Sequence, residues 1–135
     1  MALQYSVPVR NARLDAFEST TGPSAILRIR SGVQPATCAT ADAGTILAAA
    51  TLPADWMAAA SVGTKALSGS WTDASADASG TAGHFRIYDS VGTTCHAQGT
   101  VTLTGGGGDM TVDNTSFATG QSFTVTSFTL TAGNA

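Results

Sequence analysis

The sequence predicts a mainly β chain: an antiparallel β-sandwich of jelly-roll type preceded by one N-terminal α-helix. Three observations point there. One amphipathic stretch runs from Tyr5 to Glu18. The apolar segments after it are short, rich in Thr, Ser, Val and Phe, and patterned for strands. Gly, Pro, Asn and Asp punctuate the intervals between them. The chain divides into a helical arm, residues 1–22, and a sandwich, residues 23–135. At 135 residues it holds one domain with one core.

The helix has its signals in order. Ser6 is the N-cap, and Pro8 falls in the first turn, where a missing N–H costs little. Asn11, Asp15 and Glu18 share one narrow face. Val9, Ala12 and Ala16, with Val7, Leu14 and Phe17, fill a wide apolar arc. Arg10 and Arg13 lie inside that arc, where they either snorkel over apolar surface or meet a partner's carboxylates. Ser19 to Pro23 ends the helix with Gly and Pro in the expected order.

Residues 25–30 read as the first strand, and 31–44 as a long loop carrying Pro35 and Cys38. Residues 45–52 read as a buried second strand, 53–60 as a short helical turn or excursion, and 65–72 as a third strand. A polar loop follows from Asp73 to Gly83. The next hairpin joins residues 84–89 to 93–104 through Ser90-Val91-Gly92, with Gly92 left-handed. That register pairs Ile87 with Cys95 and Phe85 with Ala97. It puts Phe85, Ile87, Cys95, Ala97, Val101 and Leu103 on a core face. His84, Arg86, Tyr88, His96 and Gln98 then share a wet or interfacial face. Gly105 to Gly108 reads as a floppy connector and Asp109 to Asp113 as a short strand. The last strand, 122–131, changes phase at Ser127, so a bulge there keeps Phe123, Val125, Phe128 and Leu130 inward.

Composition narrows the function classes. Charged residues are 11% of the chain, against roughly 25% in typical domains. The net charge is −3, with one lysine and no basic run, so no nucleic-acid footprint is expected. No apolar run approaches the ~20 residues of a membrane span. The first residues lack a secretory signal, which points to synthesis in a cytosol.

Candidate chemistry is sparse. His84 and His96 fall short of the roughly four ligands that zinc needs. Asp73 and Asp77 have calcium-loop spacing, but Ala78 and His84 stand where an EF-hand wants Gly and Glu. No G-x-S-x-G motif or acid–base pair recommends an enzyme, and no cofactor is expected. Cys38 and Cys95 are a candidate disulfide closing a loop of about 58 residues, worth ~4 kcal/mol in the chain-entropy account; two free thiols are the equal alternative. Trp56 and Trp71 read as core anchors before they read as a glycan platform.

The phrases VRNARLDAFESTTG, LRIR, SWTDASADASGTAGHFRIYDSVGTT and VTSFTLTAGNA together resemble a family of small tailed-bacteriophage structural proteins, across almost the whole chain. The resemblance implies a virion component made in the host bacterial cytoplasm. It supplies no functional residues. A capsid decoration protein on the capsid exterior is expected, with the major capsid protein and other copies of itself, as a trimer, for partners. Val9, Arg10, Arg13, Leu14 and Phe17 are the candidate contact residues. A tail, collar or fibre module binding a host glycan is the alternative.

Overall fold

The computed structural model describes residues 2–133. The expected β-rich chain behind one N-terminal helix is present: α1 spans Val7–Thr21, and nine strands follow among the described residues. The Ser6 hydroxyl accepts from Val9 N at 3.4 Å, and Gly22, at φ 92°, closes the helix through its N–H to the Glu18 carbonyl. The helix therefore outruns its expected end at Glu18 by one turn. The strands are β1 (Ile26–Ser31), β2 (Ile46–Thr51), β3 (Thr64–Ala66), β4 (Thr72–Asp73), β5 (Gly80–Tyr88), β6 (Cys95–Leu103), β7 (Met110–Val112), β8 (Ser116–Phe117) and β9 (Phe123–Thr131).

They form a curled mixed sheet in the order β2-β1-β5-β6-β7-β9-β3, with β4 added to β9 and β8 to β5. The curl follows from one contact. β5 and β9 are separated by β6 and β7, which in a flat sheet would put them about 14 Å apart. Yet the rings of Phe85 on β5 and Phe128 on β9 meet edge to face, 5.6 Å between centroids. The sheet wraps around its own core.

Four differences from the sequence reading have physical causes. The expected third strand is two fragments, β3 and β4, because residues 67–71 leave the ladder to bury Trp71. The expected polar loop is shorter, since β5 starts at Gly80 and pairs with β8. β7 runs parallel to β6, with Val101 opposite Met110 and Leu103 opposite Val112. The Gly105 to Gly108 segment is therefore no floppy hairpin connection. It doubles back along β6, held by Gly108 N donating to Thr102 Oγ1 (3.0 Å) and Thr100 N donating to Asp109 Oδ2 (2.9 Å). A Cβ at Gly106 or Gly108 would sit 2.7 or 2.8 Å from the Thr102 side chain, so only glycine fits there.

The fourth difference is register. Phe85 pairs with Gly99 and Ile87 with Ala97, two residues from the expected pairing, while Tyr88 pairs with Cys95. His96 is the extra residue, and this bulge turns Cys95 away from the core face onto the side of Tyr88 and Arg86. Gly92 is left-handed as expected, at φ 75°. The phase change in β9 is also present: Thr111 faces Ser127 and Val112 faces Val125, so Thr126 is bulged. Phe123, Val125 and Phe128 are buried as a result.

The core is strung on aromatic rings. Phe17 of α1 meets Trp56 at 5.3 Å, Trp56 meets Trp71 at 5.7 Å, and Trp71 meets Phe128 at 5.5 Å. Each indole N–H has a carbonyl: Trp56 donates to Gly22 and Trp71 to Trp56. Both tryptophans are buried, which makes them core anchors. Truncating Phe128 to alanine removes a ring that links Trp71 to Phe85. The expected loss is about 3–5 kcal/mol, against less than ~0.5 kcal/mol for the exposed neighbour Thr129→Ala. Urea unfolding of the two variants checks it, and equal losses would show that the aromatic string does not hold the curl.

Candidate functional site

Two places bring together the side chains that the sequence singled out: the outer surface of α1, and a cavity beneath the 32–45 loop.

The first is defined by how α1 is docked. Lys65 on β3 is 2% exposed. Its ammonium donates to Asp15 Oδ1 at 2.8 Å and to the Ala58 carbonyl at 2.9 Å, and pairs with Glu18 Oε2 at 2.8 Å. Three donors meet three acceptors, which is what a buried ammonium requires. The same helix face takes backbone donors: Asn11 from Gly63 N (2.9 Å), Asp15 from Ala60 N (3.0 Å) and Glu18 from Met57 N (3.2 Å). The narrow polar face of the helix is thus its inner face.

The apolar arc divides accordingly. Leu14 is buried, and Phe17 is half-buried against Trp56. Arg10 donates through Nε to the Ala132 carbonyl at 2.6 Å, tying the helix to the end of β9. These three expected contact residues are engaged within the chain. Val9 remains 44% exposed, and Arg13 is exposed with its guanidinium 5.1 Å over the Tyr5 ring. Ala12 and Ala16 are exposed beside them, and Leu3, Tyr5 and Val7 are exposed at the N-terminal end.

The second place lies on the other side of β5. His84, Arg86 and Tyr88 were expected on a wet or interfacial face. They are buried instead, because the 32–45 loop folds over them. Arg86 Nη2 donates to the carbonyls of Thr37 (3.2 Å), Cys38 (2.9 Å) and Thr40 (3.1 Å). Its Nη1 and the Tyr88 hydroxyl donate to Asp42 Oδ1, and Arg30 Nη2 reaches Asp42 Oδ2 at 3.0 Å. Gln98 holds the Pro35 carbonyl at 2.7 Å, and His84 Nδ1 is 3.1 Å from that of Gly32. The loop's carbonyls replace water as acceptors for this polar face. His84 pairs with Thr100, so it and His96 stand four positions apart along β6. Asp73 is occupied by two backbone donors, Ala49 N (3.0 Å) and Ser75 N (2.9 Å).

A cavity of about 220 Å³ remains under the loop, lined by Cys38, Asp42, Arg86, Tyr88, Thr93 and Cys95 among others. Both cysteines are free and half-buried, and the Cys95 thiol donates to the Ala97 carbonyl at 3.3 Å. Burial, then the Cys38 neighbour, push the Cys95 thiol up to about 11. Comparison with known proteins brings no match: no family model fits the sequence, and no curated protein or solved structure is significantly similar.

Both charge clusters respond to acid. Burial raises the Asp42 pKa, but the hydrogen bonds from Tyr88 and Arg86 and the Arg30 charge outweigh it and hold the carboxyl below its ordinary value. The hydrogen bond from Lys65, then that from Ala60, lowers Asp15 likewise. A carboxylate with a depressed folded pKa stabilises fully above its unfolded value, near 4, and loses that contribution as pH falls through the folded value. For Lys65, burial lowers the pKa and the carboxylate hydrogen bonds raise it further, so its contribution persists to alkaline pH and fades above about 10. Asp42→Asn, which leaves Arg86 and Arg30 without their counter-charge, should cost about 2–4 kcal/mol at neutral pH. The gap from the wild type should narrow as pH falls below the ordinary carboxylate range and close once Asp42 itself is neutral. Lys65→Met should cost about 2–3 kcal/mol, the half-exposed Asp15 regaining water. Denaturant titrations at several pH values check both; a constant gap for Asp42→Asn would remove Asp42 as the group responsible.

Proposed function

We propose that this chain is a bacteriophage virion structural protein, a capsid decoration subunit that binds the outer face of the major capsid lattice and stabilises it. One observation supports the reading above the others. The outward face of α1 carries Val9, Ala12 and Ala16 with a single charge, Arg13, because the carboxylates of that helix are turned inward to Lys65. A solvent-facing helix ordinarily shows its polar side. An outward face this poor in charge fits contact with other protein subunits, namely the major capsid protein and further copies of this chain in a trimer.

The sandwich-like form belongs to the same proposal. In it β1, β2, β5 and β6 would oppose β3, β4, β7 and β9 across the aromatic core, as the Phe85–Phe128 contact suggests. The glycan-binding alternative needs exposed aromatic rings, and Trp56 and Trp71 are buried. Decoration is therefore the better supported of the two.

The double variant Val9→Glu/Ala16→Glu tests the reading without disturbing the fold. Both positions are exposed, and each new carboxylate lies three or four residues from Arg13, which leaves the helix at least as stable. Wild-type protein is expected to bind purified capsids in hundreds of copies per particle. The double variant should keep its unfolding midpoint and lose capsid binding or trimerisation. Unchanged binding and assembly would overturn the assignment of this face; absence of the protein from purified particles would overturn the function.

A further inference from the structure

We propose that Cys38 and Cys95 close into a reversible intramolecular disulfide that staples the 32–45 loop to β6, with a small-molecule disulfide of the glutathione class as oxidant.

Two independent features of the fold bring these residues together. The bulge at His96 takes Cys95 off the core face and pairs it with Tyr88, on the side that the loop covers. Arg86, 1% exposed, then fixes the loop over that side by holding the Thr37, Cys38 and Thr40 carbonyls. Cys38 is thereby anchored through its own backbone to the neighbour of Tyr88. The two cysteines line one cavity. Each is half-buried, so a small disulfide can reach them and a second chain cannot easily do so.

The chemistry balances by exchange. One cysteine thiolate attacks the small disulfide, forming a mixed disulfide and releasing one small thiolate. The second cysteine then displaces the other. Two protein thiols lose two electrons and two protons, and the small disulfide becomes two thiols. Burial disfavours the Cys95 thiolate, so its step is slow at neutral pH and accelerates as pH rises. The bridge also has a clear mechanical consequence. Without it, the loop is held by one carboxylate, which acid neutralises, and by a set of carbonyls, whose hydrogen bonds denaturant competes for. With it, the loop is fixed covalently.

The test uses the native full-length chain in a buffer of reduced and oxidised glutathione, quenched by alkylation. The expected product is a monomeric species lighter by two hydrogens than the reduced chain. Digestion with trypsin after Arg30, Lys65 and Arg86 should link peptide 31–65 to peptide 87–135. The unfolding midpoint should rise by roughly 10 °C on oxidation and return on reduction. Cys38→Ser, folded with the midpoint of the reduced wild type, should instead retain glutathione on Cys95. Stable glutathione adducts on both cysteines of the wild type, bridges only between chains, or closure only after unfolding would each overturn the proposal.

Discussion

The position of Lys65 decides how this molecule presents itself. A buried ammonium must find acceptors for all three protons, and two of those acceptors are carboxylates on one face of α1. That requirement rotates the helix so that its polar face points inward. Leu14 and Phe17 flank this face and reach the core, while Val9, Ala12 and Ala16 are left outside. An amphipathic helix docked by hydrophobic burial alone would have taken the opposite orientation. Here one ion pair network outweighs it, because the penalty for an unpaired buried charge exceeds the gain from covering a few alanines and one valine.

The same device recurs on the far side of β5. Arg86, like Lys65, is buried, and it too fixes a peripheral segment through one carboxylate and several carbonyls. The remaining cations follow suit. Arg30 pairs with Asp42, Arg10 with the Ala132 carbonyl, Arg28 with the Gly92 carbonyl and the Tyr88 ring, and Arg13 with the Tyr5 ring. All six Lys and Arg residues of the chain thus have partners within it. A low charge content here reflects cations engaged in tethering the helix, the loop and the C-terminal strand to the sheet.

The sequence revealed what depends on local chemistry. Ser6, Pro8 and Gly22 mark the helix; Gly92 marks the hairpin; the parity break between Val125 and Phe128 marks the β9 bulge. What it hid depends on partners remote in the chain. The His96 bulge leaves no trace in alternation, because Cys95 and Ala97 are both small enough for either face. The parallel β6–β7 pair is invisible because four glycines suit any reversal. The burial of His84, Arg86 and Tyr88 was unreadable because their partners are loop carbonyls, which every residue of the 32–45 loop possesses, and one carboxylate, Asp42, more than forty residues away in sequence. The division of the α1 arc was hidden for a related reason: nothing near Asp15 or Glu18 announces that their counter-ion sits about fifty residues away, at Lys65.

The sheet's edges bear on how such a chain could assemble. An open edge strand offers a row of unpaired backbone groups to another chain. Here β2 is covered: Asp73 takes the Ala49 N–H, while the N–H groups of Asp77 and Ala78 reach the Leu47 carbonyl. On the opposite edge, Ala58 N donates to the Ala66 carbonyl, and Ser61 and Thr64 pair through their backbones. Strand addition at either edge would have to displace these bonds first. The outward face of α1 carries no such obstacle, since Val9, Ala12 and Ala16 are small, apolar and outside the core, and Arg13 engages only the Tyr5 ring. Contact through that helix face is therefore the path of least rearrangement, and it leaves the edge bonds, the aromatic string and the buried cations Arg30, Lys65 and Arg86 undisturbed.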